Sequence, residues 1–202
     1  MAKKDKILIG VFLFFFGFQI TGETRSLQKF APLLKNPDWR IREKTMRKIS
    51  KIHTAESAEI LIEGMKWEAS NNLTKRREAM LEGYFLSLVR IGEPAKKIFK
   101  TYQNDKDIGE WVVIALGYLK DNSVVEKLIE LLKNSPSGRI RAYSAGALGE
   151  VGDRRAIPVL KEALKDPYME ESGDKHKIIV PLVRECAKSA LSKFGIVVDN
   201  KD

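Results

Sequence analysis

Cysteine and histidine are almost missing from this 202-residue chain: Cys186 is the one thiol, and His53 and His176 are the two imidazoles. A lone cysteine excludes an intrachain disulfide and any multi-cysteine metal cluster. Two histidines far apart in sequence leave little from which to build a metal site. Glycine, at 14 residues, and proline, at 7, are too sparse for a collagenous or low-complexity chain. Motifs with catalytic meaning are also absent, with no H-E-x-x-H, G-x-S-x-G or phosphate-cradling Walker loop. Gly146, Gly149 and Gly152 are spaced like part of a glycine-rich loop, but no strand pattern precedes them, so that reading fails on context. Apolar residues at 44% and charged residues at 31% fit a folded body rather than a disordered chain. The formal charge of +9 invites an anionic partner and says nothing about fold.

Long apolar runs are confined to the start. Lys3, Lys4 and Lys6 precede the uncharged segment Ile7 to Ile20, after which Thr21, Gly22 and Glu23 turn polar. At 1.5 Å per residue this run spans about 21 Å as a helix, short of the roughly 30 Å hydrocarbon core. The pattern predicts a secretory signal peptide over residues 1–22, with an uncleaved anchor as the alternative. The expected address is therefore the periplasm or cell envelope of a bacterium. No cysteine stands near the cleavage region to carry a lipid.

The remainder has helical periodicity and repeats itself. Shifted by 32 residues, Ala115-Leu116-Gly117 falls on Ala147-Leu148-Gly149, Asp121 on Asp153, and Leu128 on Leu160. Shifted by 99, Arg40-Ile41-Arg42 falls on Arg139-Ile140-Arg141. Shifts of 60 and 43 bring Gly92 onto Gly152 and Val183-Arg184 onto Ile140-Arg141. Each unit predicts two amphipathic helices around a Gly/Asp turn. In the fourth, Ile140, Ser144, Ala147, Leu148 and Val151 form an inward stripe, and Ile157, Leu160, Ala163 and Leu164 a second. Neither helix buries its stripe alone, so the units must stack into one core. Residues 27–37 read as a second helix without its first, and residues 178–194 as a first helix without its second. The expected fold is all-α: a right-handed α-solenoid of stacked antiparallel helix pairs over residues 23–196, with a polar tail at 197–202.

Arg141, Ala145, Ala147-Leu148-Gly149, Gly152-Asp153, Ala156-Ile157-Pro158 and Leu164-Lys165-Asp166-Pro167 make the chain resemble the HEAT repeat family. The short HEAT-like repeats of phycobilin lyase subunits are the narrower likeness. The resemblance implies an armadillo-like superhelix in which Arg42, Arg141 and Arg184 pair with Asn or Asp near the end of the preceding unit; Asn36, Asn134 and Asp166 are placed for it. Some HEAT proteins are hydroxylases that hold metal with repeated His-Glu pairs, but neither histidine here is followed by Glu. Neither cofactor nor metal is therefore expected, and no small-molecule substrate.

The candidate sites are surfaces. Arg40, Lys44, Arg47 and Lys51 fall within about 60° of one another on one helix face, with Ile41, Thr45, Ile49 and Ile52 on a separate stripe. That strip suits an acidic protein, phosphate groups or lipid headgroups, while charge runs are commonly just a solvated face. Trp67 and Tyr118, near helix ends, are candidate aromatic anchors, whereas Phe85 and Trp111 look like core. The insert around residues 168–176 is expected as a surface loop. Together these readings describe a non-catalytic protein-binding scaffold with an acidic protein partner, membrane-surface contact being compatible with the same strip. The alternatives are a nucleic-acid binder like the basic HEAT-type DNA glycosylases, against which the export signal argues, or an accessory subunit of a lyase-type enzyme.

Overall fold

The computed structural model describes residues 27–71, 76–172 and 178–198. The segment read as an export signal, His176 and the end of the polar tail lie outside the described residues. Nine α-helices are described: α1 (Trp39–Ile49), α2 (Ala55–Ser70), α3 (Arg77–Ile91), α4 (Glu93–Tyr102), α5 (Gly109–Tyr118), α6 (Val125–Asn134), α7 (Gly138–Val151), α8 (Ile157–Ala163) and α9 (Leu182–Lys193). A single 3-10 turn, Ala31–Lys35, precedes them.

Local chemistry sets the helix starts. Asp38 accepts the Arg40 N–H ahead of α1, Thr54 and Ser57 cap α2 reciprocally, and Ser137 accepts the Ile140 N–H ahead of α7. The turns show the repeat in backbone form. Gly92, Lys120, Gly152 and Gly195 occupy one register position, and all four have positive φ, at 80, 56, 76 and 76°. Three of the four are glycine because a Cβ disfavours that region.

The helices follow one another as the stacked-pair reading requires. The first helices α1, α3, α5, α7 and α9 pack each on the next, and among the second helices α2 packs on α4 and α6 on α8. In the fourth unit Ile140, Ser144, Ala147 and Leu148 are buried as the stripe predicts, with Leu160 and Ala163 beneath them. Within residues 27–37 the described chain has helical residues at 27–28 and the 3-10 turn Ala31–Lys35; Leu27 and Leu34 are buried and Leu33 is exposed.

Two features depart from expectation. The insert is not a plain loop: Glu170–Ser172 and Ile178–Val180 pair antiparallel as a short hairpin of strands β1 and β2. The first-helix layer also closes over its own middle. Residues 111–116 of α5 are all buried, because α3 and α7 reach across it. The Phe85 and Tyr143 rings lie 5.2 Å apart, the Tyr143 hydroxyl donates to Glu82, and Arg139 Nη1 lies 2.8 Å from Glu82. A helix apolar on every side, as Trp111-Val112-Val113-Ile114-Ala115-Leu116 is, belongs in such a covered position.

The arginine ladder is real, but its partners differ from those expected. Arg42 Nη1 donates to the backbone carbonyls of Asn36 and Pro37, and its Nε lies 2.9 Å from Glu68. Arg141 Nη1 donates to the Ser135 and Pro136 carbonyls, and its Nε and Nη2 donate to the two oxygens of Asp166 at 2.7 and 3.0 Å. The carboxylate comes from the end of the same unit's second helix, and the preceding turn contributes backbone oxygen. The Asn36 amide oxygen accepts from the Asp38 N–H instead. Arg184 meets Met169 Sδ at 3.4 Å, and, against desolvation and alongside Arg141, its charge, as expected for the ladder, also helps to hold the Asp166 carboxyl below its ordinary range.

Candidate binding face

α1 turns Arg42, Thr45, Met46 and Ile49 inward. Ile41, expected on the inward stripe, is instead 38% exposed, and the fully buried Arg42 takes its place because the guanidinium finds the turn carbonyls and Glu68. The opposite face carries the strip. Arg40, Lys44, Arg47 and Lys51 line one shallow depression together with Glu43 and Lys48. Lys48 was missed by the sequence reading, though the next helical position after Lys44 points to it.

Within this depression the charges are unevenly engaged. Arg40 lies 3.7 Å from Asp38 and over the Trp39 ring, yet its side chain is 73% exposed. Arg47 pairs with Glu43 one turn earlier, at 2.8 Å. Among the described residues, no carboxylate lies within ion-pair distance of Lys44, Lys48 or Lys51. Arg40 and Arg47 are so exposed that their pairs contribute little to stability.

The other two predicted residues stand elsewhere. Trp67, on α2, is half-buried beneath the Arg42 guanidinium, 5.4 Å from its ring centre, and so belongs to the buried side of α1. Tyr118 ends α5 half-buried, its ring edge-on to Phe85 at 5.5 Å. Burial first, then the nearby Cys186 and Glu150, pushes its phenol well above the ordinary range. Gly146 leaves room for that hydroxyl, which would lie 2.4 Å from an added Cβ. The structure does not bring either aromatic to the strip.

The second-helix layer has a different character. A groove of about 680 Å3 between α2 and α4 has Ile60, Ile98 and Tyr102 on its floor, with Glu59, Glu63 and Lys97 at its edges. Its charges are mixed. Among the described residues no cluster of His, Cys, Asp and Glu could hold a metal ion, and no helix is long and apolar enough to cross a membrane. Burial raises the Cys186 thiol pKa, which lowers its thiolate fraction and its value as a nucleophile. His53 is exposed, with Nδ1 3.3 Å from the Ile91 carbonyl oxygen.

Tandem antiparallel helix pairs in two layers, with a repeat arginine at the turn, define an α-solenoid. Residues 88–171 match the family model for HEAT repeats, so this part of the chain carries HEAT-type repeats. The chain is also similar to the epoxyqueuosine reductase of Bacillus subtilis (strain 168), 29% identical over 97 residues. That stretch is 48% of this chain and 24% of the reductase, so the chain matches about a quarter of that relative's length.

Proposed function

We propose that this chain is a non-catalytic scaffold of the bacterial cell envelope that binds an acidic protein through the α1 face of its repeat array. The observation that carries the reading is the depression of α1, where Lys44, Lys48 and Lys51 stand beside Arg40 and Arg47 with a single carboxylate, Glu43, among the lining residues. Stacked helices present this surface already ordered, which limits the entropy lost on association. The charge arrangement favours fast, salt-sensitive encounter with an anionic partner. The envelope address rests on the Lys3-to-Ile20 pattern. Affinity capture from an envelope fraction, with N-terminal mass measurement of the captured bait, tests both parts. Replacing Arg40, Lys44, Arg47 and Lys51 together with Ser should weaken capture of the partner and flatten its salt dependence; unchanged capture removes the strip from the function.

The net charge of +9, beside the partial similarity to an epoxyqueuosine reductase, favours a second reading, in which the same cations meet nucleic acid. Binding to duplex or structured RNA that falls steeply with salt, with an intact N-terminus in cytoplasmic fractions, is the result that would move the reading there.

A further inference from the structure

The strip does not end at its own helix. Beside it, α1 and α3 enclose a cleft of about 190 Å3 that shares Glu43 and Arg47 with the depression. α1 contributes Glu43, Met46, Arg47 and Ser50 to it. α3 answers with Gly83, Leu86, Ser87 and Arg90, so both helices present one i, i+3, i+4, i+7 face. The floor is closed: Met46 is buried, and its Cε lies 3.3 Å from where a Gly83 Cβ would stand. Ser50 and Ser87 are buried beside Met46 and leave room because they are small, Gly83 adds no side chain, and Leu86 stands half-exposed on the rim. The volume suits one large apolar side chain. Arg47 and Arg90 line the same cleft, and the one carboxylate there, Glu43, is already paired with Arg47 at 2.8 Å.

We propose that this cleft seats a single large apolar side chain of an acidic peptide segment in the partner, with carboxylates on either side of that anchor paired to Arg47 and Arg90. The proposal rests on the α1-face reading above and narrows it to a peptide chemistry. The apolar Met46 and Leu86 beneath the cationic Arg47 and Arg90 are what separate such a segment from a lipid headgroup or a nucleic-acid backbone, neither of which offers an apolar side chain to the cleft. An incoming carboxylate must compete with Glu43 for Arg47, and this fixes the sign of one test.

The experiment titrates the full chain against a fluorescein-labelled peptide of Glu residues around one central Phe, and against its twin with Ser for Phe, by fluorescence anisotropy. The Phe peptide should bind about tenfold more tightly than its twin, as expected for partial burial of one large apolar side chain. Leu86→Ser and Arg90→Gln should each weaken the Phe peptide, and Glu43→Gln should tighten it by about twofold, the scale of one exposed ion pair. Glu43→Gln alters an exposed pair and keeps the test decisive should Leu86→Ser fail to fold. Equal binding of the two peptides, or no tightening with Glu43→Gln, overturns the cleft while leaving the strip standing. Binding to phosphatidylglycerol vesicles that is stronger than to either peptide and indifferent to Leu86→Ser overturns it in favour of a lipid surface. Loss of the cleft with partner capture still sensitive to the four-Ser replacement is therefore distinct from failure of the α1-face reading itself.

Discussion

Removing the Glu68 carboxylate should cost this fold more than any exposed charge change. Arg42 and Glu68 are 0% and 1% exposed, with Nε to Oε2 at 2.9 Å and Nη2 to Oε1 at 3.3 Å. In Glu68→Ala the guanidinium keeps the Asn36 and Pro37 carbonyls but loses its counter-charge without gaining water. Deleting one partner of a buried pair typically costs about 3–5 kcal/mol. The two remaining carbonyl bonds place the expectation near the lower end. For a chain of this size each kcal/mol lowers the melting midpoint by about 2–4 °C, so a fall of roughly 6–12 °C is expected. Asp166→Ala is the internal control, because Arg141 and Asp166 are 15% and 11% exposed and water can take up part of the lost interaction; its loss should be about half as large. Urea unfolding followed by circular dichroism gives the free energies, and fluorescence gives a local reading through Trp67, whose ring lies under Arg42. A Glu68→Ala variant within about 1 kcal/mol of the parent would refute the reasoning, since a buried uncompensated charge cannot be that cheap.

Three further outcomes follow from the turns and the helix contacts. Lys120 holds a left-handed φ of 56° where the equivalent residues are glycine, so Lys120→Gly should stabilise by about 0.5–1 kcal/mol in thermal melts, and a loss of stability would count against strain there. Asp121 is opposed by desolvation, yet the Ser123 hydroxyl, Lys100 and the Ser123 N–H hold its carboxyl down at about 2. Its pKa is lower folded than unfolded, so its contribution of about 2 kcal/mol is present above pH 4 and lost as pH falls towards 2. Asp121→Asn should flatten that limb of the stability curve, and an unchanged acid limb would contradict the assignment. At Gly149 an added Cβ would meet the Cα and Cβ of Ala190 at 2.8 Å. Gly149→Ala should therefore push α9 from α7 and cost about 1–3 kcal/mol in urea unfolding, whereas a neutral result would mean that the helices separate freely.

The repeat register was legible because it is written in backbone demands as well as in side chains. The shifts that lay Gly92, Gly152 and Gly195 on one another identify the positive-φ turn of each unit, and Lys120 shows that a residue can break the sequence pattern while keeping the conformation. Helix faces were legible where apolar residues repeat at helical spacing. They were misread at Ile41 and Arg42, since burial of Arg42 depends on two carbonyls in the preceding turn and a carboxylate 26 residues away, none of which periodicity encodes. The hairpin was hidden for a similar reason. Three-residue strands carry too little alternation to be seen, and β1 is held through Glu170 to Arg139, a contact between units. The cleft between α1 and α3 has no sequence signature of its own, because its two faces lie in different units and their match appears only when the helices pack.

Why the α1 cations should be read as a surface for a partner is answered by their counterparts deeper in the array. Arg40 and Arg139 share one repeat position, yet Arg139 is drawn between Glu82 of α3 and Glu170 of the hairpin and is 24% exposed. In the same unit Arg141 is engaged by Asp166, and Arg155 by Asp153 and Glu126. An interior unit has neighbours on both sides whose carboxylates can reach its arginines. Among the described residues no first helix precedes α1, and Arg40, 3.7 Å from Asp38, remains 73% exposed. Position in the stack thus converts a charge that is structural in the fourth unit into one that is available in the first. On the reading proposed above, a carboxylate supplied by an acidic segment along α1 would give Arg40 the interaction that Arg139 obtains internally from Glu82 and Glu170.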